Sequence, residues 1–392
     1  MTAPHLTVTT RRARASVAQL TELAVRGLPR MWDEDAQSFV QTMRGLPSPD
    51  GPVLRQEGTN LRYSAIVALG TSRLRPAEQR EALGGRTARD LTSVVAAQAL
   101  DHRDPGAVAL AAWAVAEVTG TPDEALLDRL ADLLGRGTPV PTVQASWMLT
   151  AALAAPGAAA SGRIVSAVRA RLLAAQGDQG IFPHVLPASA QGRWRAHVGC
   201  FADQVYPVQA LARLATARDD AEALAAANRC ARRICELQGP AGQWWWHYDV
   251  RDGSVVEGFP VYSVHQHAMG PMALIELRGA GGEDHMTEVA LGLSWLRTHP
   301  EVVEDLVAED LAVVWRKVYR REPAKAARRL SAVTTSLRTG LHLPGLDRLL
   351  PPTRVDHECR PYELGWLLYA WPADDVDRSG ADVRPAVTED RS

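Results

Sequence analysis

Residues 202–237 read ADQVYPVQALARLATARDDAEALAAANRCARRICEL, and the change of character inside this stretch decides the fold. Its first part, Ala202–Ala215, is apolar nearly all round. After Asp219 and Asp220 comes Ala221–Leu237, still rich in Ala but carrying Arg and Glu on one helical face. A helix without a polar face has to be buried, whereas an amphipathic one needs water on one side. The stretch therefore predicts an inner helix followed by an outer one.

The same alternation runs along the chain. Charged, outer helices are expected at Ser16–Arg26, Arg86–Asp101, Asp123–Gly135, Arg163–Gln176, Ala221–Leu237 and Met286–Arg297. Apolar, inner helices are expected at Arg62–Leu69, Ala107–Val118, Val143–Ala154, Ala202–Ala215, Tyr262–Leu277 and Pro361–Trp371. Six outer helices around six inner ones make an all-α (α/α)6 toroid over residues 16–371. Pro300–Leu350 reads as an insertion with helices at Glu301–Arg321 and Ala324–Thr339. Alternating β-branched runs are nearly absent, and Ser254–Val256 is at best the edge of a short hairpin. Residues 1–15 and the Asp/Pro/Arg-rich tail 372–392 are expected to be disordered.

Composition narrows the function. The chain has 392 residues, 46% of them hydrophobic, enough for a large core. Lys and Arg number 43 against 45 Asp and Glu, so no basic surface for nucleic acid or an anionic membrane is implied. The four cysteines, Cys200, Cys230, Cys235 and Cys359, are too scattered for a disulfide scaffold. Arg11-Arg12 is not followed by an apolar segment, and no run is long enough to span a bilayer. A cytoplasmic protein is expected.

A repeat supports the toroid. Gln176-x-x-x-Gly180-x-Phe182 and Gln238-x-x-x-Gly242-x-Trp244 lie 62 residues apart, each after an outer helix. At the same offset, Asp203-Gln204 and His265-Gln266 open successive inner helices. The pattern resembles the QW motif of terpenoid cyclases and protein prenyltransferase β-like subunits. That resemblance implies an α/α toroid with a central cavity for an isoprenoid-like substrate. Six-hairpin sugar-active enzymes are similar at the level of helix alternation. The Gln, Gly and aromatic residues of the motif are themselves stabilising.

In an alternating toroid every outer-to-inner connection emerges at one end. Three are long, Gly177–Phe201, Gly239–Val261 and Gly340–Arg360, and they gather His, Trp, Tyr and carboxylates. Asp203 opens an apolar helix, as an N-cap or as a cavity-facing carboxylate. His265, one repeat on, is a proton carrier or an anchor for its loop. Glu363 lies amid apolar neighbours, as a buried acid or as an ion-pair partner of Arg360 or Arg62. These three are the candidate catalytic residues. Trp245, Trp246, His247, Asp249, Tyr262, His267, His357 and Tyr362 are the candidate substrate-binding set, the tryptophans by stacking on a sugar or steadying a cation.

His197-x-x-Cys200-x-x-Asp203 has zinc-compatible ligand types, but its spacing differs from the prenyltransferase pattern and no C-x-x-C accompanies it. No metal and no cofactor is expected. D-x-D-D, D-D-x-x-D, a Gly-rich phosphate loop, H-E-x-x-H and G-x-S-x-G are also missing. The expected function is a cyclase- or prenyltransferase-like enzyme with acid/base residues at one rim. The alternatives are an intracellular sugar-active hydrolase, lyase or epimerase, or a toroid that only binds a small molecule, lipid or glycan.

Overall fold

A computed structural model describes residues 11–372. Six inner helices form a closed ring: Leu61–Thr71, Pro105–Thr119, Thr142–Ala154, Ala202–Arg218, Gly270–Gly279 with a preceding π turn His265–Met269, and Pro361–Ala370. Each packs on the next, and the last packs on the first. Outside them lie Arg11–Gly27, Ala88–Ala99, Glu124–Gly135, Ser161–Ala175, Ala221–Glu236 and Met286–Thr298. The expected toroid is the observed one.

Local chemistry starts several helices where the alternation places them. Asn60 and Asp104 cap their inner helices by accepting from Arg62 N and Gly106 N, and Pro105 occupies the first turn. Closure of the ring depends on a pair of glycines. A Cβ on Gly70 would stand 2.0 Å from Gly365 O, so the first and sixth inner helices touch backbone to backbone.

The described strands all fall in outer-to-inner connections, so they build one rim. Ser38–Leu46 pairs antiparallel with Val53–Thr59 and, on its other side, with Glu358–Cys359. Val198–Cys200, His247–Asp249 and Val255–Glu257 form a three-stranded sheet. Val261–Tyr262, Lys317–Tyr319 and Arg354–Asp356 form another.

Two expectations from sequence are corrected. Glu301–Arg321 is not a helix: it holds Val307–Ala308 paired with Val313–Val314, then Lys317–Tyr319. The run Val313-Val-Trp-Arg-Lys-Val-Tyr319 is β-branched and aromatic, and those side chains fit a half-buried pleated surface better than a helix. The first outer helix begins at Arg11, so residues 11–15 belong to it. Ala324–Leu337 is helical as expected. The remainder of the expected disordered ends, 1–10 and 373–392, lies outside the described residues. Among the described residues, no helix is long and apolar enough to cross a membrane.

Candidate active site

The repeat glutamines lock the toroid. Gln176 Nε2 donates to Gly180 O at 3.0 Å and to Ala226 O of the next outer helix at 2.8 Å. Gln238 Nε2 repeats this with Gly242 O at 2.7 Å and Glu288 O at 2.9 Å. Phe182 and Trp244 are fully buried. Their backbone N–H groups donate to Gln204 Oε1 and Gln266 Oε1, the residues that open the two inner helices.

A cavity of about 210 Å³ opens at the rim end of the ring, reached by side chains from the N-terminal turns of five inner helices. Its wall is aromatic. Trp246 stacks nearly parallel on His265, 11° between planes and 5.8 Å between centroids, and Tyr262 lies 4.7 Å from Trp246. Tyr63 and Tyr362 face each other at 4.7 Å, and Trp147 meets Tyr206 edge-on at 5.2 Å. Two cations complete the wall: Arg62 over the Trp147 ring at 5.6 Å and Arg316 over the Tyr262 ring at 4.9 Å.

Each arginine is backed by a carboxylate that does not itself line the cavity. Arg62 grips Asp104 through both Nε and Nη2. Burial pushes Asp104 up, but the Arg62 fork outweighs it and holds the carboxyl below its usual range. Arg316 Nε donates to Glu363 Oε1 at 3.2 Å. Glu363 also caps its own helix by accepting from Arg360 N at 3.2 Å. Burial raises its carboxyl to about 7 against the pull of Arg316 and Arg360. Arg62, expected as a partner of Glu363, pairs with Asp104 instead.

The three expected catalytic residues do not meet at one surface. His265 is in the cavity wall, its Nδ1 buried without a partner. Burial, then Arg316, pushes its pKa well down, so the ring is neutral. Glu363 stands behind the wall and reaches it only through its hydrogen bond with Arg316. Asp203 is sealed from solvent, and its Oδ2 accepts from Cys200 N at 2.7 Å and from His184 Nδ1 at 2.9 Å. It thus anchors its own loop.

Of the expected binding set, Trp246, Tyr262 and Tyr362 line this cavity. Trp245 lines a separate space of about 620 Å³ under the insertion, beside the buried Arg320–Glu257 pair. Asp249 is buried against Arg251 at 2.7 Å. His267 is fully buried beside neither this cavity nor that one, both ring nitrogens unpartnered, and burial lowers it to about 3. His247 is buried in its strand, and His357 pairs with Glu304 at the rim. The residues missed from sequence are Tyr63, Trp147, Tyr206 and Arg316. Arg316 lies in Glu301–Arg321, where a helix was expected and short strands stand instead. The other three sit on inner helices at spacings that look like core, because in a toroid the core helices also line the cavity.

No protein-family description and no curated protein sequence matches the chain. Solved structures do. An unsaturated glucuronyl hydrolase specific for heparin superposes with a TM-score of 0.58 at 14% identity, over 91% of this chain and 96% of that one. A sugar epimerase from a ruminal bacterium gives 0.59 at 11% identity, over 95% and 100%. A polysaccharide lyase gives 0.52 at 11%, over 94% and 99%.

The fold is that of six-hairpin sugar-active enzymes. This corrects the terpenoid cyclase and prenyltransferase resemblance: the glutamine turns are a packing device of this toroid and carry no isoprenoid chemistry with them. The six-hairpin neighbours are hydrolases, an epimerase and a lyase, which shows how many reactions one such ring supports.

Proposed function

We propose that the chain is a sugar-active enzyme that takes one acidic sugar residue and removes the proton beside its carboxylate, as an epimerase or a lyase does. The observation that carries this reading is the cavity wall, where Arg62 and Arg316 stand among Trp, Tyr and His and, among the described residues, no carboxylate lines the space. Hydrolysis of a glycosidic bond ordinarily needs two carboxyl groups facing the substrate, so the wall favours proton abstraction. At about 210 Å³ the space is smaller than the roughly 300–1,000 Å³ of a drug-sized ligand pocket and suits a single ring. Neighbours named for unsaturated glucuronyl substrates and for polysaccharide cleavage agree with an acidic glycan.

In this reading the sugar face stacks on Trp246 and Tyr262 while a guanidinium grips the carboxylate, as its planar fork allows. His265 is the base. Its ring is neutral in the free protein, partly because Arg316 is close. A substrate carboxylate that neutralises Arg316 weakens that effect and moves the imidazole toward the range where it accepts a proton. As the carbon–hydrogen bond breaks, its electron pair moves into the carboxylate, where the arginines stabilise the added charge. A neighbouring Tyr hydroxyl then returns a proton, to the same carbon in epimerisation or to a departing glycosidic oxygen in elimination.

The test is incubation of the protein with uronate-containing oligosaccharides in deuterated water. Deuterium at the carbon beside the carboxylate, or a new conjugated double bond seen in the ultraviolet, supports the reading. Release of sugar by water without either change overturns it in favour of a hydrolase.

A further inference from the structure

We propose that His184, Cys200 and Asp203 form a zinc site at the mouth of the fourth inner helix, with His247, the cross-strand neighbour of Cys200, turning in as the fourth ligand when the ion binds. Among the described residues these are the His, Cys and carboxylate side chains whose ligand atoms gather, all within 4.8 Å of one another. They come from one connection and the helix it enters: His184 just before the short strand Val185–Leu186, Cys200 ending Val198–Cys200, and Asp203 in the first turn of Ala202–Arg218. The His197 ligand suggested by sequence spacing is elsewhere, with Nε2 at 3.0 Å from Thr335 Oγ1.

The geometry suits an ion. Asp203 Oδ2 accepts from Cys200 N at 2.7 Å, and His184 Nδ1 stands against both carboxylate oxygens, 2.9 Å from Oδ2 and 3.2 Å from Oδ1. Zinc–nitrogen and zinc–oxygen bonds of about 2.0–2.1 Å at a tetrahedral angle span about 3.3 Å between ligand atoms. The His184 side chain is 44% exposed while Asp203 is 0% exposed, so the cluster is closed at its base and open toward solvent. An ion has a way in.

His247 is the second, independent sign. Phe201 N donates to Trp246 O and Val250 N to His197 O, which makes Cys200 and His247 a non-hydrogen-bonded pair between them. Side chains of such a pair share a face and lie close. His247 is 7% exposed, and its Nδ1 is buried with no hydrogen-bond partner. An unsatisfied buried nitrogen costs stability unless something occupies it. A Cys, two His and one Asp are a tetrahedral zinc set. Burial, together with Asp203, pushes the Cys200 thiol well above its usual range, so zinc binding has to release its proton.

Purified protein, stripped by chelator and dialysed against micromolar zinc, should retain one zinc per chain by elemental analysis. Cobalt in its place should show intense tetrahedral visible bands and a thiolate-to-metal band in the near ultraviolet. Cys200→Ser and His184→Ala should each cut retained zinc at least tenfold, His247→Gln should weaken it, and His197→Ala should leave it whole. Zinc retention below a tenth of an equivalent by the unaltered chain overturns the site. So does cobalt binding without the sulfur band, a reading on the intact protein that does not depend on any variant folding.

Discussion

Arg316 Nε donates to Glu363 Oε1 at 3.2 Å, joining the insertion to the sixth inner helix at the cavity edge. Glu363 titrates near 7 because burial outweighs both Arg316 and Arg360. Below that pH it is neutral and leaves the Arg316 charge free for a substrate anion; above it, the carboxylate competes. The Michaelis constant for an acidic sugar should therefore rise as pH increases through about 7, and Glu363→Gln should flatten that dependence. Stability carries the same sign. A carboxyl raised from 4.5 to about 7 contributes stability below 4.5 that is lost as pH rises through 7, about 3 kcal/mol in all. Denaturant unfolding at pH 5 and 8 should show Glu363→Gln losing less stability between the two than the unaltered chain.

Arg62→Lys and Arg316→Lys keep a positive charge but lose the planar fork. Charge-assisted hydrogen bonds of this kind are worth about 1.5–3 kcal/mol, so each change should raise the Michaelis constant about tenfold to a hundredfold on an acidic sugar. A neutral sugar should be little affected. Equal loss on both sugars would mean the arginines only shape the wall.

At the opposite end of the ring, Glu117 ties four inner helices together. Its Oε1 accepts from Tyr369 Oη at 2.6 Å, its Oε2 accepts from Arg213 Nη1 at 3.0 Å, and Arg213 Nε reaches Glu276 Oε2 at 2.9 Å. Burial pushes the Glu117 carboxyl up, but Arg213 and Arg73 prevail and hold it at about 2. A lowered carboxyl contributes stability above 4.5 that is lost as pH falls toward 2, here about 3 kcal/mol. Glu117→Gln should cost roughly that much at pH 7, since it leaves buried guanidinium groups underpaired. The deficit should shrink as the pH of the unfolding measurement is lowered toward 3.

The helix alternation was legible because burial on all sides leaves a compositional trace: nothing polar interrupts Ala107–Ala114, and charges mark Ala221–Glu236. The rim was not, because its strands are mostly two or three residues long and too short to show a period. Asp203 illustrates the limit at single residues. An acid opening an apolar helix looks the same in sequence whether it faces a cavity or holds Cys200 N and His184. His184, the partner that decides between these, lies nineteen positions away in a loop, where no periodicity links the two.

The glutamine turns give a test that separates backbone strain from steric closure. Gly242 sits at φ +95°, and a Cβ there would stand 2.3 Å from Leu291 O in the next outer helix. Gly281 has a similar φ of +83°, yet nothing lies within 4 Å of where its Cβ would be. Alanine at either position meets the left-handed penalty of about 1–2 kcal/mol. Only at Gly242 must the outer helix Met286–Thr298 also move, which disturbs the Gln238 bond to Glu288 O. Gly281→Ala should therefore cost about 1 kcal/mol and Gly242→Ala about 3 kcal/mol by denaturant unfolding. Gln238→Ala should lose part of the same energy, and in a double-mutant cycle with Gly242→Ala the two losses should be less than additive. Equal costs at Gly242 and Gly281 would mean that the turn does not fasten neighbouring hairpins and that the 62-residue repeat has no structural work to do.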